Sequence, residues 1–159
     1  MLKLILSLFP CLFAQPDLRP APADGSQVID RLGYSLCYAD DHEQAHWVYY
    51  LVSADRLGGD VQRTDDFRED PDVITGSAAL EDYRGSGYDR GHMCPAAVNK
   101  WSEQAMSESF FLSNISPQEP DFNQGVWLFL ETRVRDWVTL FDSLYVVTGP
   151  VLRDTACRP

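Results

Sequence analysis

Two stretches carry residue types that together could handle a phosphodiester. The first is Asp89-Arg90-Gly91-His92. A neutral imidazole near pH 7 can take a proton from water. A guanidinium can pair with phosphate oxygens as charge builds on them. Residues i and i+2 of a strand point to one face, so Arg90 and His92 can reach the same group. Gly91 between them lets backbone or substrate come close. The second stretch centres on Asn123, a neutral oxygen ligand. One such ligand suits Mg²⁺, which keeps several waters and takes oxygens from a substrate phosphate. Glu131 follows about two helical turns later on the same broad face, where it can hold water around an ion. Arg135 stands at i+4 from Glu131 and can pair with it. Simpler uses compete: a structural His beside an Arg, an N-cap at Asn123, and a solvated Glu131–Arg135 pair.

Such residues need elements to hold them. Tyr34 to Tyr38 alternates, and Trp47 to Val52 is aromatic and β-branched; they predict a hairpin turning at Asp40 to Glu43. Segments 57–72 and 78–87 read as loops, the first carrying Arg63 and Arg68. Residues 96–108 show weak helical spacing, and Phe110-Phe111-Leu112 predicts a short buried strand. Asp121 or Asn123 can cap a helix running to about Phe141. Val126, Leu130, Val134, Trp137 and Val138 would form its packed stripe. Leu144 to Thr148 predicts a strand stopped by Gly149-Pro150.

Composition narrows the class. A chain of 159 residues with 45% hydrophobic and 23% charged content fits one soluble domain with a core. Lys+Arg is 13 against Asp+Glu 24, a net charge of -11. That excludes broad electrostatic adhesion to nucleic acid but leaves room for a local basic cleft. Residues 1–15 read as a signal peptide, with Lys3 before the apolar run Leu4 to Ala14, so the product is expected to be secreted or periplasmic without stable membrane insertion. Residues 16–27 read as a Pro-rich linker, and 28–159 as the folded domain. Past the signal, Cys37, Cys94 and Cys157 allow one disulfide and one free thiol, with no pair preferred.

Read together, the motifs show a family resemblance. Tyr88-Asp89-Arg90-Gly91-His92-Met93 resembles the Asp-Arg-Gly-His signature of the DNA/RNA non-specific endonucleases, the endonuclease G-like branch of the ββα-metal nucleases. Phe111 to Gln118 and Phe122 to Trp127, with Glu131 following, look like that family's next block. The likeness runs from about Tyr34 through Val146-Val147-Thr148-Gly149-Pro150. It implies an α+β fold: a central antiparallel β-sheet, flanking helices and a ββα-metal motif. It implies sugar-non-specific cleavage of DNA and RNA leaving a 5′-phosphate. His92 would be the general base, Asn123 the direct ligand of one Mg²⁺ (Mn²⁺ also fits), and Glu131 the holder of metal-bound water. Arg90 and Arg135 would contact the phosphate, Arg63 would be the family's upstream arginine, Asp89 would orient its neighbours and Asn114 would support the site. Partners consistent with the resemblance are DNA and RNA, an inhibitor protein and a second copy as homodimer. Family members usually continue past the Thr-Gly-Pro strand, so the C-terminal part of the family fold is expected to be missing.

Two other readings compete. His42-Glu43-Gln44-Ala45-His46 matches H-E-x-x-H, a zinc metalloprotease pattern that needs both histidines on one helix face. Its flanks favour a turn and a strand instead. A non-catalytic nucleic-acid-binding module would be expected to lack His92 or Asn123, and both are present.

Overall fold

The computed structural model describes residues 17–152. The signal segment 1–15, Cys11 and Cys157 lie outside the described residues. The architecture is α+β, built on an antiparallel sheet of four strands with a second, two-stranded ribbon beside it. Strands β1 (Gln27–Asp30), β2 (Tyr34–Ala39) and β3 (Gln44–Ser53) follow one another as a meander. Short helices α1 (Ala54–Leu57) and α2 (Leu80–Tyr83) flank the long loop that comes next. Strand β4 (Asp89–His92), helix α3 (Glu103–Glu108) and strand β5 (Ile115–Gln118) precede a π-helical segment, Phe122–Trp127. That segment runs directly into α4 (Leu128–Phe141), and β6 (Ser143–Thr148) ends the described sheet. The strand order is β1-β2-β3-β6, with β4 paired to β5.

The predicted hairpin is present and longer than its sequence pattern. Cys37 pairs with Trp47 and Tyr34 with Tyr50, with a bulge between Cys37 and Tyr38. The turn is one of 3₁₀ geometry at Asp40–His42, closed by Glu43 at φ 49. Strand β3 supplies both neighbours of the sheet centre, pairing with β2 on one side and with β6 from Val48↔Thr148 to Ser53↔Ser143 on the other. Leu36, Val48, Val52 and Val138 are essentially fully buried in one cluster. Each contributes about 1.5–3 kcal/mol by leaving water. Met93 and Cys94 join the same cluster, so the end of β4 is anchored in the main core. Cys37 and Cys94 are both buried and are not bonded to one another.

Four sequence expectations change. Phe110 to Ser113 is not a strand. The chain leaves α3 there, makes one isolated bridge between Phe111 and Arg68, and turns through 3₁₀ geometry at Leu112–Asn114; the strand is β5. Apolar residues alone did not distinguish a buried turn from a buried strand. Residues 78–87 are not wholly loop, since Leu80–Tyr83 forms one helical turn, with the Asp82 carboxylate accepting from the Ala79 N–H. No side chain caps the late helix: Asp121 is already helical and makes no capping bond, while Asn123 is inside the π-helical segment. The stripe on α4 is only partly buried. Val138 is enclosed and Val134 packs on the core, but Val126, Leu130 and Trp137 remain about half exposed.

No helix among the described residues is long and apolar enough to cross a membrane.

Candidate active site

The β4–β5 ribbon followed by α4 forms a strand–strand–helix unit that holds most of the candidate residues. Register places Arg90 opposite Pro117 and His92 opposite Ile115. Three side chains fix the end of β4. Trp127 Nε1 donates to the His92 carbonyl at 3.0 Å, tying the π-helical segment to the strand. Thr148 Oγ1 donates to the Met93 carbonyl at 2.9 Å, tying β6 to the next residue. Asn114 does the rest. Its Oδ1 accepts from the Cys94 N–H at 2.8 Å, and its Nδ2 donates to the Cys94 and Ser109 carbonyls. Asn114 is completely buried, so it braces the loop after His92 and does not face a ligand. Gly91 packs against the Gln118 side chain, which would have to shift to make room for a Cβ there.

Arg63, Arg90, His92, Asn123, Glu131 and Arg135 all line one cleft of about 290 Å³. Asp89 sits behind it, accepting from Asn123 Nδ2 at 2.9 Å and from Gln124 Nε2 at 2.8 Å. Those two donors hold the Asp89 carboxyl below its ordinary range. The bond also orients Asn123. With its nitrogen engaged, the amide oxygen is the end left for another partner.

His92 is buried and its Nε2 has no hydrogen-bond partner. Burial, reinforced by Arg63 and Arg90, pulls its pKa down to about 3. The imidazole is therefore neutral across the physiological range. Its ring is held by two phenylalanines. Phe110 meets it edge to face, with centroids 4.9 Å apart and planes at 88°, and Phe67 lies at 5.6 Å. The same rings carry the arginines: Arg90 stacks over Phe67 at 4.2 Å and Arg63 over Phe110 at 4.8 Å. Arg63 Nε also bonds Asp65 at 2.6 Å. Across the cleft, Arg135 lies 3.8 Å from Glu131, the pairing expected at i, i+4. Arg135 Nη1 is buried and makes no hydrogen bond. Burial pushes the Glu131 carboxyl up to about 7, against the pull of Arg135.

The cleft is thus lined by a buried imidazole, a guanidinium paired with a carboxylate, and an oriented amide oxygen. Sequence reasoning missed Phe67, Phe110, Gln124 and Trp127. Gln124 could have been noticed beside Asn123, but nothing local marks the two phenylalanines as neighbours of His92. The H-E-x-x-H segment builds no site: His42 ends the 3₁₀ turn, Glu43 is left-handed and His46 lies in β3, so the two imidazoles never share a helix face. Among the described residues no three His, Cys, Asp or Glu side chains cluster as a zinc site built of such ligands would.

The chain is similar to known proteins over most of its length. A family model described as DNA/RNA non-specific endonuclease matches residues 19–157. Mitochondrial endonuclease G of Homo sapiens is 43% identical over 128 residues, covering 79% of this chain and 43% of that protein. Mitochondrial nuclease EXOG of Mus musculus is 39% identical over 132 residues, covering 82% of this chain and 36% of that protein. A nuclease of Syncephalastrum racemosum is 41% identical over 140 residues, with coverage of 85% and 44%. Among solved structures, the EndoG/EndoGI complex matches with a TM-score of 0.74 at 32% identity, over 82% of this chain and 57% of that one. The chain spans less than half the length of these curated relatives.

Proposed function

The chain belongs to the DNA/RNA non-specific endonuclease family, and from that premise we propose that its cleft hydrolyses phosphodiester bonds of DNA and RNA with the help of one divalent cation. The observation that carries this reading is that His92 lines one cleft with three arginines, an amide and a carboxylate.

The donor set fits a hard cation. Asn123 Oδ1 and the Glu131 carboxylate are both oxygen donors, and two such groups suit Mg²⁺ or Mn²⁺, whose remaining positions go to water and phosphate. Asn123 would bind directly and Glu131 through water. When bound, the cation would polarise the phosphate and stabilise the leaving oxygen. His92 accepts the proton of the attacking water. Burial first, and then Arg63 and Arg90, make it a weak base. A phosphate between those guanidinium groups offsets their charge and strengthens the imidazole, so the base gains power as substrate arrives. Arg90 and Arg135 meet the charge that develops on the phosphate. Asp89 acts through Asn123 by fixing its amide. The product keeps the 5′-phosphate.

The surroundings belong to the same proposal. Lys3 and the apolar run after it direct the chain out of the cytoplasm, which N-terminal sequencing of the mature product checks. A protein inhibitor, as EndoGI is for EndoG, would act by covering this cleft.

The test is digestion of supercoiled plasmid and of RNA by the purified chain, with and without EDTA, beside His92→Ala. Nicking in Mg²⁺ that EDTA stops and His92→Ala lacks is the expected result. A variant as fast as the parent removes His92 from the reaction.

A further inference from the structure

The cleft does not end at Arg90. A second hollow of about 400 Å³ adjoins it, lined by Leu80, Tyr83, Arg84, Tyr88, Asp89 and Arg90. Arg90 and Asp89 connect the two: Arg90 lines both, and Asp89 lines the second while gripping Asn123 of the first. The second hollow is built on the loop between α2 and β4. That loop is shaped in advance. Gly85 and Gly87 hold φ of 71 and 84, and Ser86 Oγ donates to the Tyr83 carbonyl and accepts from the Tyr88 N–H. Nothing lies within 4 Å of where a Cβ would stand on either glycine, so the loop face is open to a ligand. The loop presents two side chains outward. Tyr88 is 47% exposed, an aromatic ring with no buried role. Arg84 is 76% exposed and held only by a 3.5 Å contact with Glu81. In a chain of net charge -11, a largely exposed guanidinium beside a solvent-facing ring is a selective feature.

We propose that this hollow is a subsite for the nucleotide next to the one whose phosphate is cut, with Tyr88 stacking on its base and Arg84 meeting its phosphate. The inference rests on the nuclease reading and adds the path of the strand. Stacking on an aromatic ring tolerates any base, and a lone arginine reads charge alone, so the subsite orders the strand without imposing a sequence. The partner it fits is a single-stranded or locally opened strand, because a base inside a duplex cannot present its face to Tyr88.

The test measures binding without turnover. A fluorescein-labelled single-stranded DNA octamer, and the same strand with an abasic position scanned along it, are titrated against the full chain in EDTA by anisotropy. Tyr88→Ala should weaken octamer binding roughly 5-fold or more, and Tyr88→Phe should restore it. At one abasic position the Tyr88→Ala penalty should vanish, since no base remains to stack. Arg84→Ala should weaken the normal and abasic strands alike and flatten the salt dependence by about 0.7 in slope. If the parent binds the octamer and both alanine variants match it within twofold, the subsite is overturned while the nuclease reading stands. A Tyr88→Ala penalty that persists at every abasic position overturns stacking. Failure of the parent to bind any strand overturns the subsite, and plasmid nicking in Mg²⁺ by the same preparation decides separately whether the nuclease reading stands.

Discussion

Asn123 donates its side-chain amide to the Asp89 carboxylate at 2.9 Å, joining the head of the long helical segment to the strand that carries His92. The two residues are 34 positions apart in the chain, and this bond is what turns a neutral amide into an oriented oxygen. It also explains why an aspartate precedes Arg90 and His92 without lining the His92 cleft itself.

Removing that orientation should weaken the cation more than the chemistry. Asp89→Ala leaves the Asn123 amide free to rotate. The Mg²⁺ concentration for half-maximal plasmid cleavage should rise about 10–100-fold, with a smaller change in rate at saturating Mg²⁺. Activity measured across a Mg²⁺ series checks this; an unchanged midpoint removes Asp89 from the metal site.

His92→Ala removes the base. Hydrolysis should fall about 10²–10⁴-fold at saturating Mg²⁺. The circular dichroism spectrum should be preserved, because the imidazole nitrogen lost was making no hydrogen bond.

The two phenylalanines separate packing from positioning. Phe110 is completely buried, and Phe110→Ala should cost about 3–5 kcal/mol of stability, read from urea unfolding. Phe67 is only partly buried and underlies Arg90. Phe67→Leu keeps the bulk and deletes the π face, worth about 0.5–1 kcal/mol to the guanidinium. It should slow cleavage a few-fold while the unfolding midpoint moves little. A Phe67→Leu enzyme at parental rate would make the ring a filler only.

The cleft should also leave a pH signature in stability, from two groups of opposite sign. His92 falls from 6.5 to about 3 through burial first and its arginine neighbours next, so unfolded chains bind its proton where folded chains do not. Its contribution is fully present above 6.5 and is lost as pH falls toward 3. Glu131 rises from 4.5 to about 7 through burial, so its contribution is fully present below 4.5 and is lost as pH rises through 7. Between 4.5 and 6.5 the two oppose each other. Glu131→Gln should therefore unmask a stability that climbs with pH up to 6.5, and His92→Ala one that declines from 4.5 to 7. Urea midpoints across that range decide it; parallel curves for both variants contradict the assignment.

Cation affinity should follow Glu131 as well. A carboxyl held near pH 7 must lose its proton before it can help hold a cation. Mg²⁺ affinity should rise with pH through that value in the parent and lose the dependence in Glu131→Gln, as calorimetry would show.

Much of this molecule was written locally. Alternation marked β2, an aromatic and β-branched run marked β3, and the run from Leu144 to Thr148 marked β6. The i, i+4 spacing placed Arg135 against Glu131 because helical geometry alone brings those positions together. The Asp89-to-His92 run and Asn123 marked the site by residue type. What spacing could not supply was everything that depends on distant segments meeting. Phe67 and Phe110 enclose His92 only because a loop and the end of α3 fold over β4. The Asp89–Asn123 bond, the packing of Gly91 against Gln118, and the opposite pKa shifts of His92 and Glu131 arise the same way. Burial and neighbouring charge set those properties, and both are sums over residues far apart in the chain. The H-E-x-x-H match fails for the same reason: a motif lists side chains, but the backbone conformation around it decides whether they converge.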